Sequence, residues 1–279
     1  MLDVEPILKR YKSRVEGMKH LLFFDCIREN MKIFKILLLS ILLFNIGELQ
    51  AEEAKKVLIV VSNMIDMGDP EKHEARNDLF EVAPPYHVFV NHGYDVDFVS
   101  PQGGEVHFMR EPLGIISYTI KYEGFLEKTK NTLCPDQVNP SEYWGVFTGG
   151  GYGVMFDVAN NTKLQSIIAK IYESGGVVGV GGHGSASIVN VKLSDGEYLV
   201  KGKKIAGFPN STETSKPWAK QGTLLPFLIE SQLNKNGAKA QNKETLPDKS
   251  EVVVDKRIVS TMFLPSAALV AKEMINLVK

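Results

Sequence analysis

The chain has 279 residues, 44% of them hydrophobic and 23% charged, and its formal net charge at pH 7 is −1. This composition is typical of a soluble globular protein, and the length permits one large α/β domain or two small ones. The near-zero charge argues against a nucleic-acid-binding surface. The two cysteines, Cys26 and Cys134, provide no disulfide framework.

The N-terminal region predicts an export signal. Two lysines precede an apolar run from Ile36 to Phe44, and Ala51 is a small residue just before an acidic pair. We therefore predict that residues 1–51 are an upstream segment followed by a signal peptide beginning near Met31, and that residues 52–279 form the domain. The expected location is the periplasm or the exterior, with no membrane contact after cleavage. A buried helix, an uncleaved anchor or a cytoplasmic protein are the alternatives.

Beyond the signal, apolar runs of strand length alternate with helix-like stretches. The run KVLIVVSNM at 56–64 is apolar almost throughout, as in strands buried on both faces of a parallel sheet. This alternation predicts a single α/β domain with a mostly parallel sheet and helices on both faces. The other elements that we predict are strands at 95–100, 143–148, 176–181 and 203–208, helices at 78–92, 118–132, 164–173, 224–236 and 266–278, and a strand pair at 251–262.

Two glycine-rich stretches each follow a predicted strand. The first reads YWGVFTGGGYGVMFD at 143–157, and the second reads GGVVGVGGHGSASI at 175–188. Glycines at the carboxyl end of a strand allow a tight turn at the crevice where α/β proteins bind ligands. Neither stretch fits the glycine patterns of dinucleotide-binding or P-loop proteins, so nucleotide binding is disfavoured.

Together, these stretches resemble the ThiJ/PfpI superfamily, which is class I glutamine-amidotransferase-like. The segment 149–153 looks like its PGGHG oxyanion turn, and 181–185 looks like its A-x-CHGP nucleophile elbow. Further matches, including Gly207-Phe208 and the ending at 250–274, are most similar to the glyoxalase/deglycase and heat-shock chaperone branch. The resemblance covers most of residues 55–278 and implies a flavodoxin-like fold.

The resemblance also assigns site residues. In active relatives an elbow cysteine is the nucleophile, a glutamate of the first helix contacts its thiol, and the next histidine works with an acidic partner. The elbow cysteine corresponds to Gly182 and the helix glutamate to Glu81. The histidine corresponds to His183 and its acidic partner to Glu213. The ligand-binding glycines of the oxyanion turn correspond to Gly150, Gly151 and Gly153. Because glycine has no atom that can attack a carbonyl, we predict that thiol chemistry is absent. Glycine also adopts φ > 0 freely, so the elbow should tolerate the change.

Several of these residues have a second interpretation. Glu81 also fits an acid at a helix N-terminus, and Glu213 also fits a solvated acid. Cys134 fits an ordinary partly buried thiol better than a substitute nucleophile, and Trp218 fits a packing residue better than a platform for substrate. No cofactor is expected, and a metal site is disfavoured because no convergent ligand spacing links the histidines in question, which are His73, His87, His92 and His107.

The predicted function is that of a stress-related pseudoenzyme. Without the thiol, the protein would bind a small carbonyl or carboxylate ligand, or hold unfolded protein, and the family implies a homodimer. The alternative is an active lyase or hydrolase in which His183, with Glu81 or Glu213, activates water. A purely structural module with the same fold is the third hypothesis.

Overall fold

The computed structural model describes residues 56–216, 224–242 and 251–278. These residues belong to one compact unit, Ala54–Lys279. The predicted signal peptide and upstream segment, Cys26 and Trp218 lie outside the described residues, so the predictions made for them stay predictions.

The strands follow the alternation seen in the sequence. In chain order the described strands are β1 (Lys56–Val60), β2 (Asn77–Asp78), β3 (Asp95–Val99), β4 (Phe108–Met109), β5 (Tyr143–Thr148), β6 (Val177–Gly181), β7 (Lys204–Ala206), β8 (Lys239–Gln241), β9 (Val253–Asp255) and β10 (Ile258–Thr261).

The main sheet has six strands in the order β3-β1-β5-β6-β10-β9. The first five are parallel, and β9 pairs antiparallel with β10 at the edge. Counted along the chain, the parallel strands run 2-1-3-4-5, which is the flavodoxin-like order. The predicted fold class is therefore confirmed. In this topology the strand order reverses between β1 and β5, and a ligand crevice forms at the carboxyl ends of the strands there.

Helices cover both faces of the sheet. They are α1 (Leu79–Asn91), α2 (Ile115–Tyr122), α3 (Phe125–Lys130), α4 (Thr162–Glu173), α5 (Asn210–Glu213), α6 (Ile229–Lys235) and α7 (Ala267–Asn276). None of the helices in the described ranges is long and apolar enough to cross a membrane.

The core has two halves, one on each face of the sheet. In β1, Leu58 and Val60 pack into one half, while Val57 and Ile59 pack into the other, and all four are fully buried. Successive side chains of a strand point to opposite faces, so a strand covered on both faces must be apolar at every position. This explains why polar residues do not alternate with apolar ones in the run that begins at Lys56.

Three predicted elements differ from the structure. The strand predicted at 56–64 ends at Val60, and the chain then turns into the loop beside the site. The helix predicted at 118–132 is two helices, because Gly124 has a left-handed φ of +74° and separates α2 from α3. The helix predicted at 224–236 begins only at Ile229, because Leu228 has an extended backbone. The strand pair at 251–262 is confirmed, with its turn at positive-φ Lys256.

Candidate functional site

The glycine turn after β5 lies against the start of α1. A Cβ on Gly149 would come 2.7 Å from Val82 Cγ2, and one on Gly151, whose φ is +119°, would come 2.8 Å from Asn77 Cα. Real Cβ atoms do not approach other atoms this closely, so the turn requires glycine. Gly150 accepts a hydrogen bond from the Asp78 N–H at 2.9 Å. The glycines therefore serve first to let the turn contact α1.

Gly153, the last glycine of the turn, is packed against the chain before β2. Its N–H donates to the carbonyl oxygen of Ala75 at 2.8 Å, and a Cβ at this position would lie 2.5 Å from that same oxygen. The amide of Gly153 is thus already used within the protein. The other two glycines assigned to ligand binding have different neighbours. Gly150 lies beside Glu81, and Gly151 lies beside Asn77 at the start of β2.

The predicted elbow lies at the end of β6. Gly182 has φ +49°, the left-handed conformation that an elbow residue adopts. The strand is followed directly by a 3-10 helix, Gly182–Ile188. Ser185 Oγ donates to the Gly182 carbonyl at 2.8 Å and thereby fixes the turn. A Cβ on Gly184 would come 2.8 Å from the Gly149 carbonyl oxygen, so the elbow and the glycine turn are in close contact.

Glu81 inserts its carboxyl group between these two turns. The residue is 4% exposed and lies in the first turn of α1, so the acid expected at a helix N-terminus is there and its carboxyl group is buried. A Cβ on Gly182 would lie 2.6 Å from Glu81 Oε2 and closer still to Oε1, while one on Gly150 would lie 2.6 Å from Cδ. The carboxyl therefore occupies the space that a side chain at position 182 would need. Among the described residues, its buried Oε2 has no hydrogen-bond partner.

Burial of Glu81 raises the pKa of its carboxyl from 4.5 to about 8, and the negative charge of Asp78 adds to this rise. The neighbouring amide of Gly150 and the guanidinium of Arg110 oppose the rise without reversing it. The carboxyl of Glu81 is therefore mostly protonated near pH 7. A protonated carboxyl can donate a hydrogen bond or a proton, which a carboxylate cannot.

His183 and Glu213 form the second part of the site. His183 Nε2 and Glu213 Oε1 are 2.7 Å apart, and both residues are buried, with Glu213 having no solvent exposure. Glu213 is therefore not the solvated acid of the alternative interpretation. When the carboxylate accepts the Nε2 proton, the neutral imidazole presents a lone pair at Nδ1. The carboxylate thus orients His183 as a base.

Two aromatic side chains enclose the imidazole, and sequence reasoning did not identify either of them as part of the site. The ring centroid of Phe208 lies 4.0 Å from that of His183 in a stacked arrangement, and that of Tyr152 lies 4.2 Å away. Both belong to segments used to recognise the family, namely Gly207-Phe208 and the glycine turn, but nothing local shows that they meet. Their contacts depend on the tertiary fold.

An ion pair at the start of α1 was also missed. Asp78 caps the helix by accepting from Phe80 N–H at 3.0 Å, and it accepts from Arg110 Nε at 2.9 Å. An aspartate at the first position of a predicted helix is a typical N-cap, so the cap could have been predicted. The ion pair spans 32 residues and leaves no local sequence signal.

The remaining candidate groups lie elsewhere. His73 pairs with Asp69 at 2.8 Å, and His87 pairs with Glu123 at 2.8 Å. Cys134 is a free, half-buried thiol that packs against Gly103. Within the described ranges, no three His, Cys, Asp or Glu side chains converge as metal ligands.

The fold and the two glycine turns define the class of protein, a flavodoxin-like α/β protein with a nucleophile-elbow site. The chain belongs to the DJ-1/PfpI family, whose sequence profile matches residues 75–277.

Two fungal proteins are similar to this chain in sequence. Glyoxalase 3 of Candida albicans is 31% identical over 232 residues, which cover 79% of this chain and 97% of that protein. A probable glutathione-independent glyoxalase of Saccharomyces cerevisiae is 30% identical over 183 residues, covering 60% of this chain and 76% of that protein. The family and these relatives indicate a glyoxalase- or deglycase-like function.

Solved structures show the same fold. The crystal structure of glyoxalase III from Candida albicans matches with a TM-score of 0.71 at 28% identity, covering 81% of this chain and 98% of that one. The 24-kDa rapid encystment protein of Francisella tularensis matches with a TM-score of 0.72 at 27% identity, covering 81% and 99% of the two chains.

Proposed function

We propose that the protein binds a small carbonyl or carboxylate compound at the elbow and does not carry out thiol-dependent glyoxalase chemistry. The observation that supports this most directly is the environment of Gly182. The elbow conformation is kept, but the residue has no side chain, and the Glu81 carboxyl fills the volume that a thiol would need. Without a thiolate, the covalent step has no nucleophile.

The other groups of the site support retained binding. His183 lies between two aromatic rings and is oriented by the buried Glu213, so it presents a hydrogen-bonding atom of defined direction. The protonated Glu81 is a donor that suits a carbonyl or carboxylate oxygen. A ligand held by these groups would stabilise the native state, because binding to the folded form raises the free energy of unfolding.

The test compares turnover with binding. We expect the purified protein to consume methylglyoxal far more slowly than the Candida albicans relative assayed in parallel. We expect pyruvate or lactate to raise the melting temperature, with about 2.7 kcal/mol of stabilisation at 100 times Kd. His183→Ala should abolish this rise, while His92→Ala, at an exposed position whose ring hydrogen-bonds to the Val88 carbonyl, should not. Turnover matching that of the relative would refute the proposal.

The alternative is slow hydrolytic or lyase activity with activated water. The 2.7 Å contact with Glu213 favours that residue over Glu81 as the partner of His183. General acid–base catalysis without a nucleophile raises a reaction rate by about 10²–10⁴-fold. Slow methylglyoxal turnover that disappears in His183→Ala would favour this alternative.

A holdase role has an observation of its own. The surface of α2 and the residues beside it carries large apolar side chains that are 46–67% exposed, namely Leu113, Ile115, Tyr118, Tyr122 and Leu126. On a helix, positions 115, 118 and 122 lie along one face, so α2 exposes an apolar stripe opposite its buried side. Contiguous apolar surface of this kind is typical of sites that bind other polypeptides.

This role predicts that the protein slows aggregation of thermally unfolding citrate synthase. The double variant Tyr118→Ser, Tyr122→Ser should weaken the protection severalfold. Val254→Ser, which changes a 44%-exposed apolar residue on β9, is the matched control and should protect normally. Failure of the unmodified protein to slow aggregation, or equal protection by the double variant, would exclude the holdase role.

A further inference from the structure

A groove that shares no residue with the elbow site lies between α4 and the segment 190–198. Its volume is about 580 Å³, within the range of about 300–1,000 Å³ that is common for small-molecule sites. One wall is a face of α4, on which Thr162, Ser166 and Lys170 follow one another at intervals of four residues. The other wall is the segment 190–198. The groove is therefore a second place where a small molecule can bind.

Hydrogen bonds hold the two walls of the groove together. Ser194 donates to Glu173 Oε1 from its N–H at 2.7 Å and from its hydroxyl at 2.6 Å, which ties the segment to the end of α4. Before the start of α4, Asn160 Oδ1 accepts from Asn190 Nδ2 at 3.0 Å, and Asn190 Oδ1 accepts from Gln232 at 3.2 Å. Walls that are fixed before binding lose little conformational freedom when a ligand enters.

The charges along the groove favour an anion. Lys170 lines it from α4 and Lys192 from the segment 190–198, and neither lysine forms an ion pair within the described ranges. Lys192 Nζ lies 5.2 Å from the ring centroid of Tyr198, so its ammonium group is held over an aromatic face. Glu173 is the one acidic residue in the lining, so two lysines and one glutamate give a formal charge of +1.

The uncharged groups of the groove suit a ligand with several hydroxyls. Thr162 and Ser166 are exposed, and their hydroxyls form no hydrogen bond within the part of the chain that the structure describes. The second oxygen of the Glu173 carboxyl group, Oε2, is likewise left over by the bonds from Ser194. A ligand hydroxyl both donates and accepts, so it can pair with a serine or threonine hydroxyl or donate to a carboxylate.

We propose that this groove binds a small polyol or sugar that carries one phosphate group. A phosphate monoester has a charge of about −1.5 to −2 at pH 7, which matches the two ammonium groups better than the single charge of a carboxylate. The ligand hydroxyls pair with Thr162, Ser166 and Glu173. The inference does not depend on the proposed function, because the two sites have no residue in common.

The experiment measures the binding of myo-inositol 1-phosphate to the full chain by isothermal titration calorimetry. This probe has neither a carbonyl nor a carboxylate, so it is not a ligand of the class proposed for the elbow. Lys170→Gln and Lys192→Gln should each weaken binding by about tenfold or more, because each removes a charge-assisted hydrogen bond. Lys163→Gln, on the same helix, is the matched control, since Lys163 pairs with Asp136 and does not line the groove. It should bind the probe normally.

Further arms test where the probe binds and what the groove recognises. Ser166→Trp, at an exposed position, places a large side chain in the groove and should abolish binding. Free myo-inositol and inorganic phosphate should both bind more weakly than the probe, and saturating pyruvate should leave the affinity for the probe unchanged. Melting temperatures establish that each variant is folded.

Three results would overturn the inference. The first is no binding of the probe, and the second is unchanged affinity in both Lys170→Gln and Lys192→Gln or in Ser166→Trp. The third is equal affinity for inorganic phosphate and the probe, which would show that the hydroxyls are not recognised. The proposed function stands in each case if pyruvate still raises the melting temperature, so the two failures are distinguishable.

Discussion

At position 182 the backbone keeps a left-handed conformation although the residue carries no side chain. Such a conformation costs a residue other than glycine about 1–3 kcal/mol, whereas glycine adopts it freely. Glycine at this position therefore avoids the backbone strain that any other residue would carry there. The carboxyl of Glu81 then fills the space between Gly150 and Gly182, so the site remains packed.

The pKa of Glu81 predicts a pH dependence of stability. Burial raises this pKa from 4.5 to about 8, so between these pH values the folded protein keeps a proton that the unfolded chain releases. The free energy of unfolding therefore falls as pH rises through this interval, and the full effect of Glu81 is about 5 kcal/mol. Glu81→Gln removes the titrating group, so the variant should gain stability relative to the unmodified protein between pH 5 and 9.

Urea unfolding at pH 5, 7 and 9 measures this difference. Glu105→Gln, an exposed position, is the matched control and should follow the pH profile of the unmodified protein. Parallel profiles for Glu81→Gln and the unmodified protein would show that Glu81 titrates normally in the fold.

The sequence predicted the members of the site better than their contacts. The family motifs predict two pairs of neighbouring residues. In the structure Glu81 lies beside Gly182, and Glu213 lies beside His183. The sequence could not predict that the Glu81 carboxyl fills the empty side-chain position at Gly182, because that depends on how closely α1 approaches both glycine turns. The stacking of Phe208 on His183 likewise depends on packing between distant segments.

Among the elements, the buried parallel strands were predictable and the short ones were not. A strand such as β5 lies in the middle of the sheet and has an apolar run bounded by turn residues, which identifies it. The pairs β2 with β4 and β7 with β8 have two or three residues per strand, so they show no periodicity. They pair residues 31 and 35 positions apart, respectively. Their existence is set by the tertiary structure.

The elbow is a 3-10 helix for a local reason. Its sequence, GHGSASI, consists mainly of glycine and serine, which favour turns over α-helix. Ser185 satisfies the Gly182 carbonyl with its hydroxyl, in competition with a backbone donor. The tight turn lets Gly184 pack on the glycine turn after β5. The close contact between the two turns is what brings Glu81 and His183 to one place.

Over the whole molecule, the topology determines where chemistry can occur. The strand order reverses between β1 and β5, and the glycine turn, the elbow and the start of α1 meet at this edge. The family profile covers nearly all of this unit. Export through the N-terminal signal and assembly into a homodimer stay predictions.

On the proposed function, the elbow lacks a nucleophilic sulfur at position 182, and a cysteine placed there restores it. We predict that Gly182→Cys, with displacement of the Glu81 carboxyl, gains methylglyoxal consumption that iodoacetamide abolishes, at a cost of about 1–3 kcal/mol in stability. Gly196→Cys, at an open turn with φ +83°, carries similar strain and a thiol outside the site, and should gain nothing. Equal rates for the unmodified protein and Gly182→Cys would show that the missing sulfur at position 182 does not limit the reaction.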